Sequence, residues 1–236
     1  MGDKKLTIVG HLAELRLRII ITALSILFGT ILSYFYIEEI THLLIIPAGY
    51  QDFVYLSPPE LFLSYIKISI ICGIFLALPI ILFQVWFFVM PSVTIRDKVY
   101  MILAILMSTI FFVGGVVFSY FIIIPLTLEF FTELSSNEIT PMFSFASYLS
   151  FILSILLSFG LAFQLPLLVL LLTKLNLITP ELLKKSRKYT FLLIFLFASI
   201  LTPPDVISQV LLAGPMILLF ELSIIISNVI KWRSKK

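Results

Sequence analysis

Long apolar stretches constrain this chain more than any other feature of its sequence. Runs such as Ile19 to Phe28 and Phe191 to Ile200 contain no charged residue, and a helix needs ~20 mostly apolar residues to cross a bilayer. Hydrophobic residues make up 61% of the 236 positions and charged residues only 12%, about half of the charged share that is typical of soluble domains. The sequence therefore predicts an all-α polytopic membrane protein.

Hydropathy and helix breakers together predict six spans in a single integral membrane domain that covers residues 1–236. Cap chemistry marks several helix starts: Ser57-Pro58-Pro59-Glu60 combines an N-cap serine, a proline at the first helical position and a glutamate three residues after the cap. Thr179-Pro180 and Thr202-Pro203 repeat the threonine cap followed by proline. The predicted spans are residues 19–36, 61–89, 99–124, 148–172, 189–201 and 206–226, of which the last two are short.

The distribution of basic residues predicts the orientation of these spans. Fifteen of the 16 Lys and Arg residues lie before the first span, in the second–third and fourth–fifth connections, or after the sixth span. The exception is Lys67, and the remaining three connections contain Asp and Glu but no Lys or Arg. Because Lys and Arg concentrate on the cytosolic side of membrane proteins, both termini are expected inside.

The segment HLAELRLR, residues 11–18, places charged residues at the threshold of the first span. Glu14 and Arg18 are one helical turn apart, so they can form an i,i+4 ion pair on a solvated helix end. Alternatively, Glu14 is a carboxylate that binds an external cation at the membrane surface. Asp97, which stands between Arg96 and Lys98 on the same side, has the same two interpretations.

Polar residues inside the predicted spans are few. Gln164 lies in the fourth span beside Pro166, where an amide can hold helices together, satisfy carbonyls freed by the proline, or face a ligand. Gln84 and Gln209 allow the same helix-bridging interpretation. Catalytic motifs and paired intramembrane carboxylates do not occur, so we expect no enzyme activity, no metal site, no cofactor and no nucleic-acid binding.

Four stretches resemble the TatC family, the large subunit of the twin-arginine protein translocase. They are HLAELRLR, residues 77–93 (ALPIILFQVWFFVMPSV), residues 144–167 (SFASYLSFILSILLSFGLAFQLPL) and residues 201–221 (LTPPDVISQVLLAGPMILLFE). The resemblance extends from about Gly10 to Glu221, with spans and loops in matching order. It implies a curved, cup-like bundle of six helices.

The resemblance also implies a function. Such proteins bind signal peptides that carry two consecutive arginines, recruit single-span partner subunits, and move folded proteins across the membrane with the proton-motive force. The expected partners are therefore these signal peptides, the small subunits, membrane lipids and, in an oligomer, further copies of the chain. The alternatives from other classes are a secondary transporter and an assembly scaffold of a membrane complex.

Individual site residues follow from the match of motifs. Glu14 corresponds to the family glutamate that grips the arginine pair, and Arg16 belongs to the same motif. Asp97 stands where a glutamate is commoner, so its carboxylate reaches about one bond less far. Phe88 matches a family aromatic near this site. On the opposite, trans side, Pro47, Asp205 and Gln209 match structural or functional family positions.

The sequence departs from many relatives at Gln164, where they carry a glutamate. A glutamine can form hydrogen bonds but cannot ionise near neutral pH, so a contact to a partner helix or signal peptide is expected here rather than a proton relay. This residue and a composition rich in Phe, Ile, Lys and Tyr favour a plastid-encoded chain in the thylakoid membrane. The alternative is a bacterial inner membrane.

Overall fold

The computed structural model describes residues 8–49, 53–89, 95–133, 143–174, 177–201 and 206–234. Nearly all of them are helical. The helices are α1 (Ile8–Phe35), α2 (Ile37–Ile45), α3 (Pro58–Val89), α4 (Ile95–Phe118), α5 (Ile124–Glu133), α6 (Phe145–Ala162), α7 (Leu165–Lys174), α8 (Pro180–Leu201) and α9 (Val206–Ser234). Shorter elements are a 3₁₀ turn (Ile46–Ala48), a π-helical segment (Ser119–Ile123) and two strands, β1 (Phe53–Val54) and β2 (Phe143–Ser144).

The chain forms two compact units. The first comprises residues 1–43 and 59–109, and therefore contains α1, most of α2, nearly all of α3 and the first part of α4. The second comprises residues 44–58 and 110–236, with the rest of α4, the helices α5 to α9 and both strands. The single membrane domain expected from the sequence stays a prediction.

Length and apolar character make the membrane assignment firm. Among the described residues, five helical segments are long and apolar enough to cross a bilayer: Leu12–Phe35, Pro58–Val85, Ile102–Glu133, Phe145–Thr173 and Gln209–Val229. Helix α8 is not among them because its first turns carry four basic residues, Lys184, Lys185, Arg187 and Lys188. Its apolar part is the short stretch 189–201 that the sequence predicts as the fifth span. The chain is an all-α polytopic membrane protein.

Cap chemistry predicted two helix starts correctly. Helix α3 begins at Pro58, has Glu60 in its first turn and continues for 32 residues with Pro79 in its interior. Helix α8 begins at Pro180, where the backbone N–H of Leu182 donates to Oγ1 of Thr179 at 3.3 Å. Such caps satisfy N–H groups that have no partner within the helix. The helix start predicted at Thr202-Pro203 lies outside the described residues, and α9 is described from Val206 onwards.

The third predicted span ends too early. The π-helical segment follows α4 directly, and helical structure then continues beyond residue 124 in α5 as far as Glu133. The reason lies at Pro125, which has no N–H to donate to the preceding turn. The backbone widens just before it, and the N–H of Ile124 bonds to the carbonyl of Ser119, five residues back. A π-helical turn of this kind accommodates the proline without ending the helix.

The fourth predicted span, in contrast, is interrupted. Helix α6 ends at Ala162 and α7 begins at Leu165, with Phe163 and Gln164 in a turn between them. Pro166 lacks the N–H that would bond to the carbonyl of Ala162 in a continuous helix. The N–H of Gln164 donates instead to Leu161 at 3.0 Å, as in a tighter 3₁₀ turn.

Each unit brings helices together at glycines. In the first unit, a Cβ added at Gly29 of α1 would lie 2.7 Å from the carbonyl oxygen of Gly73 in α3. In the second, a Cβ at Gly115 of α4 would lie 2.5 Å from the carbonyl oxygen of Phe159 in α6. Backbones approach this closely only where a side chain is missing, as at the small residues of membrane helix interfaces.

Candidate functional site

A charged cluster occupies the inside end of the first unit. It consists of Glu14 and Arg18 on α1 and of Gln84 and Phe87 on α3, and is called the Arg18 cluster below. Because Glu14 and Arg18 are four residues apart on one helix, their side chains lie on the same face. Nη2 of Arg18 donates to Oε1 of Glu14. The i,i+4 pair that the sequence allowed is therefore present.

Arg18 has further partners on the neighbouring helix. Its Nη1 lies 3.4 Å from both the backbone carbonyl oxygen and Oε1 of Gln84. Its Cζ lies 4.9 Å from the ring centroid of Phe87, within the range of a cation–π interaction. The guanidinium thus joins α1 to α3 while it neutralises Glu14.

Burial distinguishes the two ionised side chains. The side chain of Arg18 is 11% exposed and that of Glu14 is 26% exposed. Nε of Arg18 is buried and has no hydrogen-bond partner. Charge-assisted hydrogen bonds are stronger where water is partly excluded, so this cluster can bind a guanidinium more firmly than an exposed carboxylate could.

An apolar groove begins beside the cluster. It has a volume of about 460 Å³. Its walls are formed by Leu15, Ile19, Ala23 and Ile26 of α1 and by Ile81 and Val85 of α3, with Arg18 and Gln84 at one end. A ligand with a cationic group followed by an apolar segment would fit here, because the cation could bind the carboxylate of Glu14 and the apolar segment could pack in the groove.

Of the other residues predicted for this site, the structure describes the side chain of Arg16 only. Arg16 is exposed on α1. Phe88 belongs to the last turn of α3 and Asp97 to the first turn of α4, but the side chains of both lie outside the described residues. Their contribution to the site stays a prediction.

Gln164 occupies the turn between α6 and α7, in the second unit. Its carbonyl oxygen accepts a hydrogen bond from the N–H of Leu168 at 2.9 Å, which starts α7. The side chain is half-buried. Its predicted contact with a partner helix or signal peptide stays a prediction.

Pro47, one of the residues predicted for the trans side, lies in a segment that contacts the start of α6. Pro47 lies in the 3₁₀ turn, close to Leu44, whose carbonyl oxygen accepts from the hydroxyl of Tyr148 at 2.8 Å. The ring of Tyr148 also packs against Phe53 of β1, with 4.6 Å between centroids. β1 and β2 pair in parallel, Phe53 with Phe143 and Val54 with Ser144. These contacts connect the loop before α3 to the start of α6.

Helices α8 and α9 are connected along their length by polar contacts. Near the trans end, Nε2 of Gln209 donates to the carbonyl oxygen of Phe195 at 2.8 Å, so the helix-bridging interpretation of Gln209 is correct. Further along α9, Arg187 donates to Glu221 at 2.6 Å. Asp205, the last residue predicted for the trans side, lies outside the described residues.

The beginning of α8 and the end of α9 share a second ion pair. Nζ of Lys231 lies 2.7 Å from Oε2 of Glu181. The hydrogen bond from Lys231 is the main cause that lowers the pKa of Glu181 from 4.5 to about 2, and hydrogen bonds from the backbone N–H of Glu181 and from Thr179 contribute. Both side chains are substantially exposed, so the pair adds little to stability.

Sequence reasoning found Glu14 and Arg18 and a helix-bridging interpretation for Gln84, but it did not predict that Gln84 and Phe87 contact Arg18. Gln84 and Phe87 are separated from Arg18 by more than sixty residues, and no local pattern connects them. A glutamine within an apolar helix was the available signal, because a polar side chain at that depth needs a partner. Among the described residues, no group of three or more His, Cys, Asp or Glu side chains could hold a metal ion.

Comparisons with known proteins agree with the resemblance seen in the sequence. Residues 10–215 match the family model of the Sec-independent protein translocase protein (TatC). The protein of this name from Carboxydothermus hydrogenoformans is 41% identical over 234 residues, which cover 98% of this chain and 96% of the relative. The TatCd protein of Bacillus subtilis is 35% identical over 227 residues, covering 96% of this chain and 93% of the relative.

A solved structure shares the fold. The crystal structure of the twin arginine translocase receptor TatC superposes with a TM-score of 0.86 at 36% identity, covering 93% of this chain and 98% of that one. The family match, the level of identity and the common fold extend over nearly the whole length. This chain belongs to the TatC family of Sec-independent protein translocase proteins.

Proposed function

We propose that this chain is the receptor subunit of a twin-arginine translocase. It binds the signal peptides of folded cargo proteins and nucleates the complex that transports them with energy from the proton-motive force. Family membership and the likeness to a twin arginine translocase receptor support this proposal. The observation that carries it is the half-buried carboxylate of Glu14, which already holds a guanidinium at the inside end of α1.

The site is suited to an arginine pair. A guanidinium donates through a planar fork that a carboxylate can accept with both oxygens, whereas an ammonium is a compact point charge. In our proposal Glu14 is the principal acceptor, Asp97 is the second, and Phe88 provides an aromatic surface. Arg16 lies on the same segment and orients the peptide backbone.

The apolar groove fits the second half of the ligand. A signal peptide continues from its basic residues into an apolar segment. The groove follows α1 from Leu15, past Arg18, as far as Ile26, over about three turns of helix. We propose that the first apolar residues of the signal peptide enter it.

Single-span partner subunits and further copies of the chain are the other proposed partners. Gln164 is the proposed polar contact within the membrane, since a neutral amide can donate to and accept from a partner helix. Pro47, Asp205 and Gln209 shape the trans side, where Gln209 bridges α8 and α9.

We infer that the chain resides in the inner membrane of a bacterium. The relatives named above come from bacteria, which supports this location over the thylakoid membrane that the composition favoured. The thylakoid location stays a prediction that neither the structure nor these relatives support further.

Export of a folded reporter tests the proposed function. The chain is expressed in a bacterium that lacks its own TatC, together with matching partner subunits and a fluorescent protein that folds before export. We expect export of the reporter when its signal peptide carries two arginines, and a loss of most export when both are replaced by lysines. Equal export of the two reporters would contradict a receptor that reads the arginine pair, and would favour an assembly scaffold or a transporter.

A further inference from the structure

Glu14 is already occupied by a guanidinium that belongs to the chain itself. Nη2 of Arg18 donates to Oε1 of Glu14, the same kind of contact that an arginine of the signal peptide would make. The two side chains are one helical turn apart on α1, so the effective concentration of Arg18 at Glu14 is high. A peptide arginine must compete with this pair.

Other partners are available to Arg18 if it leaves Glu14. Its Nη1 lies 3.4 Å from two acceptors of Gln84, the backbone carbonyl oxygen and Oε1. Both distances are longer than an ordinary N–H···O hydrogen bond, and both contacts can shorten if Arg18 leaves Glu14. The ring of Phe87, 4.9 Å from Cζ, offers a cation–π interaction as well.

We propose that Arg18 is an internal competitor that sets the affinity of this receptor for arginine-containing signal peptides. When a peptide binds, its guanidinium replaces Arg18 on Glu14, and Arg18 moves onto Gln84 and Phe87. This inference rests on the proposed function, in which Glu14 holds the arginine pair. The charge on the protein is unchanged by the exchange, and Arg18 keeps partners in both states.

The exchange has a consequence for selectivity. A competitor lowers the affinity of every ligand for the same carboxylate by the same factor, so it leaves the ratio between an arginine peptide and a lysine peptide unchanged. A ligand therefore needs a higher intrinsic affinity for Glu14, measured without the competitor, in order to bind at working concentrations. Peptides with lysine, which cannot match the forked contact, then fall below that threshold.

Peptide binding to single variants tests this proposal. The full chain is reconstituted in lipid nanodiscs, and its affinity for a fluorescent twin-arginine signal peptide and for the Lys-Lys version is measured by anisotropy. We expect Arg18→Met to bind both peptides about fivefold more tightly, with an unchanged ratio between them. The charge-matched control Lys184→Gln removes an exposed positive charge from α8 and should leave both affinities close to the wild-type values.

Two second-site variants distinguish competition from a general effect of charge. In a Glu14→Gln background, Arg18→Met should produce no gain, because the carboxylate for which Arg18 competes is absent. Gln84→Leu should weaken peptide binding about twofold in the wild type, because Arg18, which lies 3.4 Å from Oε1 of Gln84 in the free chain, moves closer to it when displaced in this proposal. The same substitution should have no effect together with Arg18→Met. A gain that persists with Glu14→Gln would show that Arg18 acts through charge alone and would overturn the proposal.

The outcomes also separate this inference from the proposed function. If Glu14→Gln leaves peptide binding unchanged, the peptide site itself is wrong, and the competitor proposal with it. If Glu14→Gln weakens binding while Arg18→Met weakens it too, the site is right and Arg18 positions Glu14 rather than competing for it. Should Arg18→Met fail to accumulate, Arg18→Lys keeps the charge and the topology signal; it should bind more tightly than wild type, and unchanged or weaker binding would refute competition.

Discussion

Gly73 shows at the scale of a single residue how this chain brings its membrane helices together. A Cβ added at this position would lie 2.5 Å from the backbone nitrogen and from Oγ1 of Thr30. The backbone atom cannot move without shifting α1, so no change of rotamer relieves the overlap. The packing of α1 against α3, which positions the Arg18 cluster, depends on the missing side chain.

Gly73→Ala should therefore lower the stability of the chain by about 1–3 kcal/mol, the usual cost of overpacking a close contact. The matched control is Gly114→Ala in α4, where an added Cβ meets nothing within 4 Å. Thermal unfolding in detergent should show a lower midpoint for the first variant and an equal or higher midpoint for the second. Equal midpoints for the two variants would contradict the close approach at Gly73.

Glu181 permits a second prediction at this scale, because Lys231 lowers its pKa to about 2. The pKa is lower in the folded chain than in the unfolded chain, so the stabilisation by this pair is present above the unfolded pKa of 4.5 and is lost as the pH falls through about 2. A carboxyl NMR titration should place the pKa of Glu181 well below 4, and Lys231→Met should return it towards 4.5. Titration near 4.5 in the wild type would refute the ion pair.

At the scale of elements, the depth of α9 in the membrane follows from its length and from its ion pair. Between Val206 and Glu221 the helix rises ~23 Å. Glu221 then meets Arg187, which the distribution of basic residues places inside. A carboxylate that would be costly at the membrane centre is thus expected at the inside interface.

Labelling of single cysteines measures this depth. In a chain whose one native cysteine, Cys72, is replaced by alanine, Glu221→Cys should react with a water-soluble thiol reagent added from the inside. Leu218→Cys is the control, because this side chain is 66% exposed in the chain but should face lipid. Protection of position 221 from both sides of the membrane would show that α9 lies deeper than its ion pair indicates.

Elements differ in how well the sequence predicts them, and the difference is physical. Starts at Pro58 and Pro180 were predictable because a cap and a proline act within four residues. The effects of Pro125 and Pro166 were not, because whether a missing N–H widens a helix or breaks it depends on the packing around it. The same holds for the site: the i,i+4 pair of Glu14 and Arg18 is local, whereas Gln84 reaches Arg18 only through the tertiary fold.

At the scale of the whole molecule, the distribution of charge and the position of the Arg18 cluster both favour recognition of the signal peptide at the inside surface of the membrane. Fifteen of 16 basic residues fall on the side that the positive-inside rule makes cytosolic. The Arg18 cluster is at the inside end of α1, where a signal peptide that has just been synthesised would be met. Recognition in this account therefore precedes any passage of cargo, and it requires a carboxylate close to the inside surface.

Photo-crosslinking of a signal peptide tests this account most directly. A twin-arginine peptide with a photoreactive residue next to its arginine pair is added to membranes that contain the wild-type chain, Glu14→Gln, or the control Glu38→Gln, which alters an exposed carboxylate of α2. A lost charged hydrogen bond corresponds to ~1.5–3 kcal/mol, so Glu14→Gln should weaken binding by about tenfold or more at unchanged abundance of the chain. Crosslinking to the wild type and the control, and its loss in Glu14→Gln and with a Lys-Lys peptide, is the predicted result. Undiminished crosslinking to Glu14→Gln, or loss of that variant from the membrane, would contradict the assignment of Glu14 as the residue that binds the arginine pair.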